Sequence, residues 1–195
     1  MQYDTGALYD GEWMKGLYQG NGLLKGADGS EYRGEWDSGL MNGKGTHVCA
    51  NKDVYCGDFD GNRRHGRGVC NYSDGGVYDG EWVDNKRQGR GIYTTFTGMI
   101  YEGEFGSDKK HGKGELRFLL GDTCSGNWIA DVRVGSCVYT YANGDVYEGK
   151  MEQFNRVGRG VMLYTGGDVY EGKMEQFNRE GRGGDAVYWW GCIRG

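Results

Sequence analysis

The segments YEGKMEQFNRVGRG (147–160) and YEGKMEQFNREGRG (170–183) differ at one residue and begin 23 residues apart. That spacing runs through the chain. Counting back from Tyr147 in steps of 23 lands on Cys124, Tyr101, Tyr78, Tyr55, Tyr32 and Tyr9. Two residues on from each stands a glycine, from Gly11 to Gly172, and four on stands Trp13, Trp36, Phe59, Trp82, Phe105, Trp128, Met151 or Met174. Eight units beginning at 9, 32, 55, 78, 101, 124, 147 and 170 fill residues 9–192 without insertion or deletion. Residues 1–8 read as a partial N-terminal repeat or cap, and 193–195 as the start of an incomplete ninth unit. So strict a period implies one supersecondary element per unit, each packed on its neighbours.

Alternation identifies the element. Tyr-x-Gly-x-Trp spaces its defining residues by two, which in a strand puts them on one face. Each unit then has a polar segment such as DGNRRH (60–65), followed by a second glycine pair such as Gly20 and Gly22 or Gly43 and Gly45. Gly, Asn or Asp recurs at the seventh residue after the tyrosine in six units, where positive φ suits a turn. Each unit is expected to be a hairpin, with aromatics on its first strand and the glycine pair on its second. ADG (27–29), SDG (73–75) and ANG (142–144) at the junctions suit three-residue loops ending in a G1 bulge. The expected register sets Gly57 opposite both Gly45 and Gly68, and Phe59 opposite both Gly43 and Gly66. It also predicts a row of alternating charge through Glu35, Lys44, Asp58, Arg67, Glu81, Arg90, Glu104 and Lys113. Sixteen strands at about 4.8 Å each would give a rod roughly 75 Å long.

Composition removes alternatives. There are 40 glycines but no proline and no G-X-Y period, which excludes collagen and proline-rich disorder. An aromatic content of 14% is too high for a disordered chain. The six cysteines form no C-x-x-C pair, so reduced intracellular thiols are expected rather than a disulfide framework or zinc site. A net charge of −5 argues against nucleic acid as a partner. No apolar run approaches a membrane span, and no signal-peptide core opens the chain.

Tyr-x-Gly-x-Trp-x-x-Gly-x-x-x-Gly-x-Gly at this period resembles the MORN (membrane occupation and recognition nexus) repeat, with departures at Cys124, Cys137, Met151 and Met174. The resemblance implies an elongated, single-layer, twisted antiparallel sheet, all-β and non-enzymatic. It further implies a cytoplasmic scaffold or adaptor at the cytoskeleton or a membrane, in some members appended to an enzyme such as a phosphatidylinositol phosphate kinase.

Candidate sites follow from the register. Glycines walled by aromatics form a trough, and Tyr55, Phe59, Tyr78, Trp82, Tyr101 and Phe105 at its centre are the expected anchors for a protein or peptide. The rings are also expected to lie over the glycines, since a single-layer sheet has no other core. In the last two units Lys150, Arg156, Arg159, Lys173, Arg179 and Arg182 make a basic cluster whose alternative reading is an anionic phospholipid patch. No catalytic, metal or cofactor site is read: His47, His65 and His111 have no nucleophile at a fixed spacing, and GLMNGKGT (39–46) lacks P-loop spacing. Trp189 and Trp190 beside an unfinished edge suggest self-association through the array ends.

Overall fold

The computed structural model describes residues 6–152 and 154–174. These form one open antiparallel sheet of fifteen strands in which each strand pairs only with its neighbours in sequence. The strands are β1 (Leu8–Met14), β2 (Leu17–Lys25), β3 (Glu31–Asp37), β4 (Leu40–Val48), β5 (Val54–Asp60), β6 (Arg63–Asn71), β7 (Val77–Val83) and β8 (Lys86–Thr94). They continue as β9 (Ile100–Gly106), β10 (Lys109–Arg117), β11 (Thr123–Ile129), β12 (Val132–Thr140), β13 (Val146–Glu152), β14 (Asn155–Leu163) and β15 (Val169–Met174). Residues 1–5 of the expected N-terminal cap, the second strand of the last unit with Arg179 and Arg182, Trp189 and Trp190, and the ninth-unit fragment lie outside the described residues.

Junctions between units are built as expected. Gly29 has φ 79°, donates its N–H to the Gly26 carbonyl at 3.1 Å, and completes a three-residue loop closed by Gly26 N–H to Ser30 O at 2.8 Å. Pairing between units also follows the expected register: Gly43 lies opposite Phe59, Lys44 opposite Asp58 and Gly45 opposite Gly57.

Inside a unit the register departs from expectation. Gly57 does pair with Gly68, but Phe59 pairs with Arg64 rather than Gly66. The cause is the hairpin tip, where Gly61 and Asn62 have φ of 54° and 69° and make a two-residue turn of the I′ kind. So tight a turn forces Asp60 opposite Arg63, and the surplus length becomes a bulge at Gly66, φ 62°. The bulge frees the Arg67 N–H, which donates to the Asp58 carboxylate at 3.0 Å. Glu12, Glu35, Glu81 and Glu104 accept from the N–H groups of Asn21, Lys44, Arg90 and Lys113 in the same way, at 2.9–3.1 Å. The alternating charge row is therefore real only between units, as in Arg67 opposite Glu81 and Arg90 opposite Glu104. Within a unit the carboxylate caps a backbone bulge. His65 and His111 fall inside β6 and β10.

The tyrosine and the tryptophan or phenylalanine of each repeat motif in the described strands share one face, called the ring face below. Their burial makes two clusters, one from Tyr9 to Trp128 and one around Cys124, Cys137, Tyr139, Tyr147, Met151 and Met162.

Candidate partner-binding face

The glycine trough is filled by the protein's own rings. Tyr78 lies across Gly80 and Gly91, so that a Cβ at Gly91 would sit 2.5 Å from the tyrosine hydroxyl and 2.6 Å from its ring. Its hydroxyl donates to the Glu81 carbonyl at 3.0 Å, and burial raises its pKa. Tyr9, Tyr32, Tyr55, Tyr101 and Tyr147 make the same bond three residues on, at 2.9–3.1 Å. The Tyr32 hydroxyl is pushed up to about 12, mainly by burial. Trp82 completes the layer by donating its indole N–H to the Gly68 carbonyl of the preceding unit at 3.0 Å.

Edge-to-face contacts join the units. Tyr55 meets Phe59 at 5.1 Å and Trp82 at 5.3 Å; Tyr78 meets Trp82 at 5.2 Å and Phe105 at 5.0 Å; Tyr101 meets Phe105 at 5.2 Å and Trp128 at 5.4 Å. Such pairs contribute about 0.5–1.5 kcal/mol each beyond area burial. All six expected anchors share this face, but each is at most 5% exposed. They form the floor of the face rather than its open walls.

What covers that floor is a row absent from the sequence reading. The first residue to pair across from each tryptophan or phenylalanine is Tyr18 or Met41 in the first two units. In the next five it is Arg64, Arg87, Lys110, Arg133 and Arg156. Four of these cations lie over rings: Arg64 is 4.3 Å from the Trp82 centroid, Arg87 5.4 Å from Phe105, Lys110 4.8 Å from Trp128 and Arg156 5.9 Å from Tyr147. The cations also reach residues further along their own strands. Arg87 lies 5.1 Å from the Tyr93 ring, and Arg64 approaches the Cys70 sulfur at 3.9 Å. Burial lowers the Lys110 pKa, against the pull of Asp131. Recurrence of a base at one position in six successive units, Arg64 to Arg179, was visible in the sequence. It was hidden by a register that placed glycine, not this residue, beside the ring.

The C-terminal basic cluster divides between two faces. Arg159 pairs with Lys173 on the face away from the rings, which also carries Lys150, whereas Arg156 pairs with Met151 on the ring face. Lys150 makes an ion pair with Glu152 at 2.7 Å. Among the described strands, every carboxylate lies on the face away from the rings. That face also holds a shallow hollow of about 440 Å³ over Asn127, Ser136 and Val138. Among the described residues no group of three or more His, Cys, Asp or Glu converges as metal ligands.

Hairpins of one length stacked edge to edge in a single layer define a β-repeat protein. The MORN repeat model matches residues 9–31, 32–54, 55–77, 78–100, 101–118 and 124–146, and the chain belongs to the MORN-repeat family. The hairpin architecture continues past the last match through β13, β14 and β15. No curated protein matches the chain in sequence. Among solved structures, the TCP domain of Drosophila melanogaster SAS-4 (dCPAP), in complex with a proline-rich motif of Ana2 (dSTIL), superposes with a TM-score of 0.55 at 13% identity, covering 88% of this chain and 92% of that one. The likeness is one of fold. The TCP10 domain of Danio rerio CPAP, in complex with a peptide of Danio rerio STIL, is more remote, with a TM-score of 0.34 at 15% identity over 86% of this chain and 83% of that one.

Proposed function

We propose that this chain is a non-enzymatic scaffold that binds a protein partner along its ring face. The observation that carries the proposal is the cation row. Tyr18 and Met41 occupy the same place in the first two units, packed against the ring cluster, so an uncharged side chain suffices to cover the rings. A half-buried cation there costs desolvation that packing alone does not require. Repeating it in five successive units makes sense as a recognition surface. A proline-rich motif bound by a domain of like fold supports a peptide ligand for such a sheet. The proposal extends to a cytoplasmic location at the cytoskeleton or a membrane-associated structure. Anionic phospholipid has less support, because the C-terminal cations do not share a face.

The test is selection from a displayed library of random peptides, followed by photo-crosslinking of the enriched peptides and mass spectrometry. Crosslinks are expected on ring-face residues such as Arg87 and Tyr93. Crosslinks on Asp79 or Glu81, or no enrichment at all, would sink the proposal.

A further inference from the structure

We propose that the ring face takes an extended acidic segment in the polyproline II conformation, with a carboxylate at every third residue meeting Arg64, Arg87, Lys110, Arg133 and Arg156 in turn. This rests on the reading of that face as a partner site and adds the chemistry of the partner.

Charge comes first. The described strands contribute no carboxylate to the ring face and contribute these five cations, while from the loops Asp108 approaches Arg87, Asp131 acts on Lys110 and Asp122 accepts from the Tyr139 hydroxyl. The donors of the cations are only partly used. One guanidinium nitrogen of Arg64, Arg87 and Arg133 bonds a backbone carbonyl of the following unit, at Asn85 (2.9 Å), Asp108 (2.5 Å) and Met151 (2.6 Å). The other contacts are poor. Arg64 and Arg156 turn a second nitrogen toward sulfur, at Cys70 (3.9 Å) and Met162 (3.6 Å), both weak acceptors. Arg87 Nε lies 3.5 Å from the Asp108 carboxylate without hydrogen-bond geometry, and Arg133 Nη1 has no acceptor. Both of these atoms are buried, so a carboxylate arriving at the mouth of the groove would meet the row as a charge-assisted partner through donors nearer the surface than these.

Arg133 separates the cation from ring stacking, though it keeps its bond to the Met151 carbonyl. Each of its neighbours in the row stacks on the tyrosine of its own unit, and Arg64, Arg87 and Lys110 also on the aromatic of the next. For Arg133 those two positions are Cys124 and Met151. Neither offers a ring, yet the cation persists.

Spacing selects the conformation. Two strands per unit set the cations about 9.6 Å apart, at about 4.8 Å per strand. A polyproline II helix advances about 9.3 Å in three residues and presents the same side again. A β-strand covers about 9.9 Å in three residues but points the third side chain the opposite way. An α-helix needs about 6.4 residues for the same rise, not a whole number of turns, so its acids would drift around the axis. Only the first keeps one acid per cation, and its apolar residues meet the edges of Tyr93 and Leu116 between them.

The experiment measures binding by fluorescence anisotropy to three labelled peptides of about fifteen residues, long enough to span five units at three residues each. One repeats Glu-Pro-Pro, one has the same composition with its glutamates clustered, and one repeats Lys-Pro-Pro. The protein is wild type and the double variant Arg87→Met, Lys110→Met, which copies the side chain at Met41. Circular dichroism confirms its fold. The periodic acidic peptide should bind, weaken with salt, and lose about tenfold or more in the variant, the equivalent of one charge-assisted bond. The clustered peptide should bind about tenfold more weakly and the basic one not at all. Equal binding of periodic and clustered peptides would refute the spacing, and equal binding by the variant would refute the row. Vesicles of phosphatidylcholine and phosphatidylserine that bind wild type but not the variant, with no peptide bound, would assign the row to a membrane instead. Library peptides that crosslink to the ring face yet lack periodic acids would end this inference and leave the scaffold reading standing.

Discussion

In the sixth unit the ring layer is missing a tile, and replacing it should require two substitutions at once. Cys124 stands where the other units have tyrosine, and Cys137 where they have the trough glycine. Cys137 pairs with Gly126, and Cys124 lies diagonally beside it, opposite Tyr139. Both are free, buried thiols. Cys124 donates to the Cys137 sulfur, which raises its own pKa and lowers that of Cys137. In an intact unit a Cβ at Gly91 would lie 2.5 Å from the Tyr78 hydroxyl and 2.6 Å from its ring, about 1 Å inside ordinary contact. Cys124→Tyr alone must therefore drive a ring into the Cys137 side chain, at a cost of about 1–3 kcal/mol for overpacking. Cys137→Gly alone gives up buried volume and adds backbone entropy to the unfolded chain, about 1–2 kcal/mol. The two together rebuild the tile. Burying the ring contributes about 1.5–3 kcal/mol, one edge-to-face contact with Trp128 about 0.5–1.5, and a hydroxyl bond to the Asn127 carbonyl about 1. The double variant should be at least as stable as wild type, with a coupling of about 3 kcal/mol. Urea denaturation of all four proteins, followed by tryptophan fluorescence with unchanged m-values, measures it. Additivity within about 0.5 kcal/mol would refute the shared-site reasoning.

Other expectations follow from the bulge and the charge rows. Glu81→Ala should cost about 1 kcal/mol by uncapping the Arg90 N–H, while Lys150→Ala, where no carboxylate caps the bulge, should change the urea midpoint little. The Asp58 carboxyl is held below its usual range first by the Lys44 ammonium and then by the Arg67 N–H. Its contribution is therefore complete above the unfolded value near 4 and fades as pH falls through the folded one, so Asp58→Asn should flatten that part of the acid limb of stability. Lys173→Glu replaces the like-charged Arg159–Lys173 pair with the pairing seen at Arg67–Glu81, and should gain about 0.2–1 kcal/mol at low salt, diminishing as salt is added. An unchanged melting temperature at low salt would show that the pair is simply solvated.

The hairpins, their boundaries and the pairing between units were legible because a two-residue alternation and a fixed period leave little else for such a chain to do. The pairing within a unit was not. It depends on whether the tip turns in two residues or six, and Gly61-Asn62 permits either until the I′ geometry is fixed. From that one choice followed the bulge at Gly66, the role of Asp58 as its cap, and the presence of Arg64 rather than glycine beside Phe59. The six expected anchors share one face because alternation alone decides that. Their burial depended on how far each tyrosine leans over its glycines, which parity does not encode.

The separation of charge between the two faces has two unequal halves. The acidic half serves folding: a tight turn creates a bulge, the bulge frees an N–H on the face away from the rings, and Glu12, Glu35, Asp58, Glu81 and Glu104 each satisfy one. Where Asn127 and Lys150 replace the carboxylate, the bulge survives, with Gly135 and Gly158 still at φ of 70° and 72°. The cap is thus worth about the 1 kcal/mol of one exposed hydrogen bond, not the fold. The basic half serves folding in part, since Arg64, Arg87 and Arg133 each donate to a backbone carbonyl of the following unit, at Asn85, Asp108 and Met151. Tyr18 and Met41 cover the rings without charge, and Arg133 keeps its charge without rings. A residue type that is dispensable where rings need covering, and retained at Arg133 where there is no ring to stack on, is answering to more than the covering of rings. On a face that the described strands leave free of carboxylates, the row suits the acidic partner proposed above.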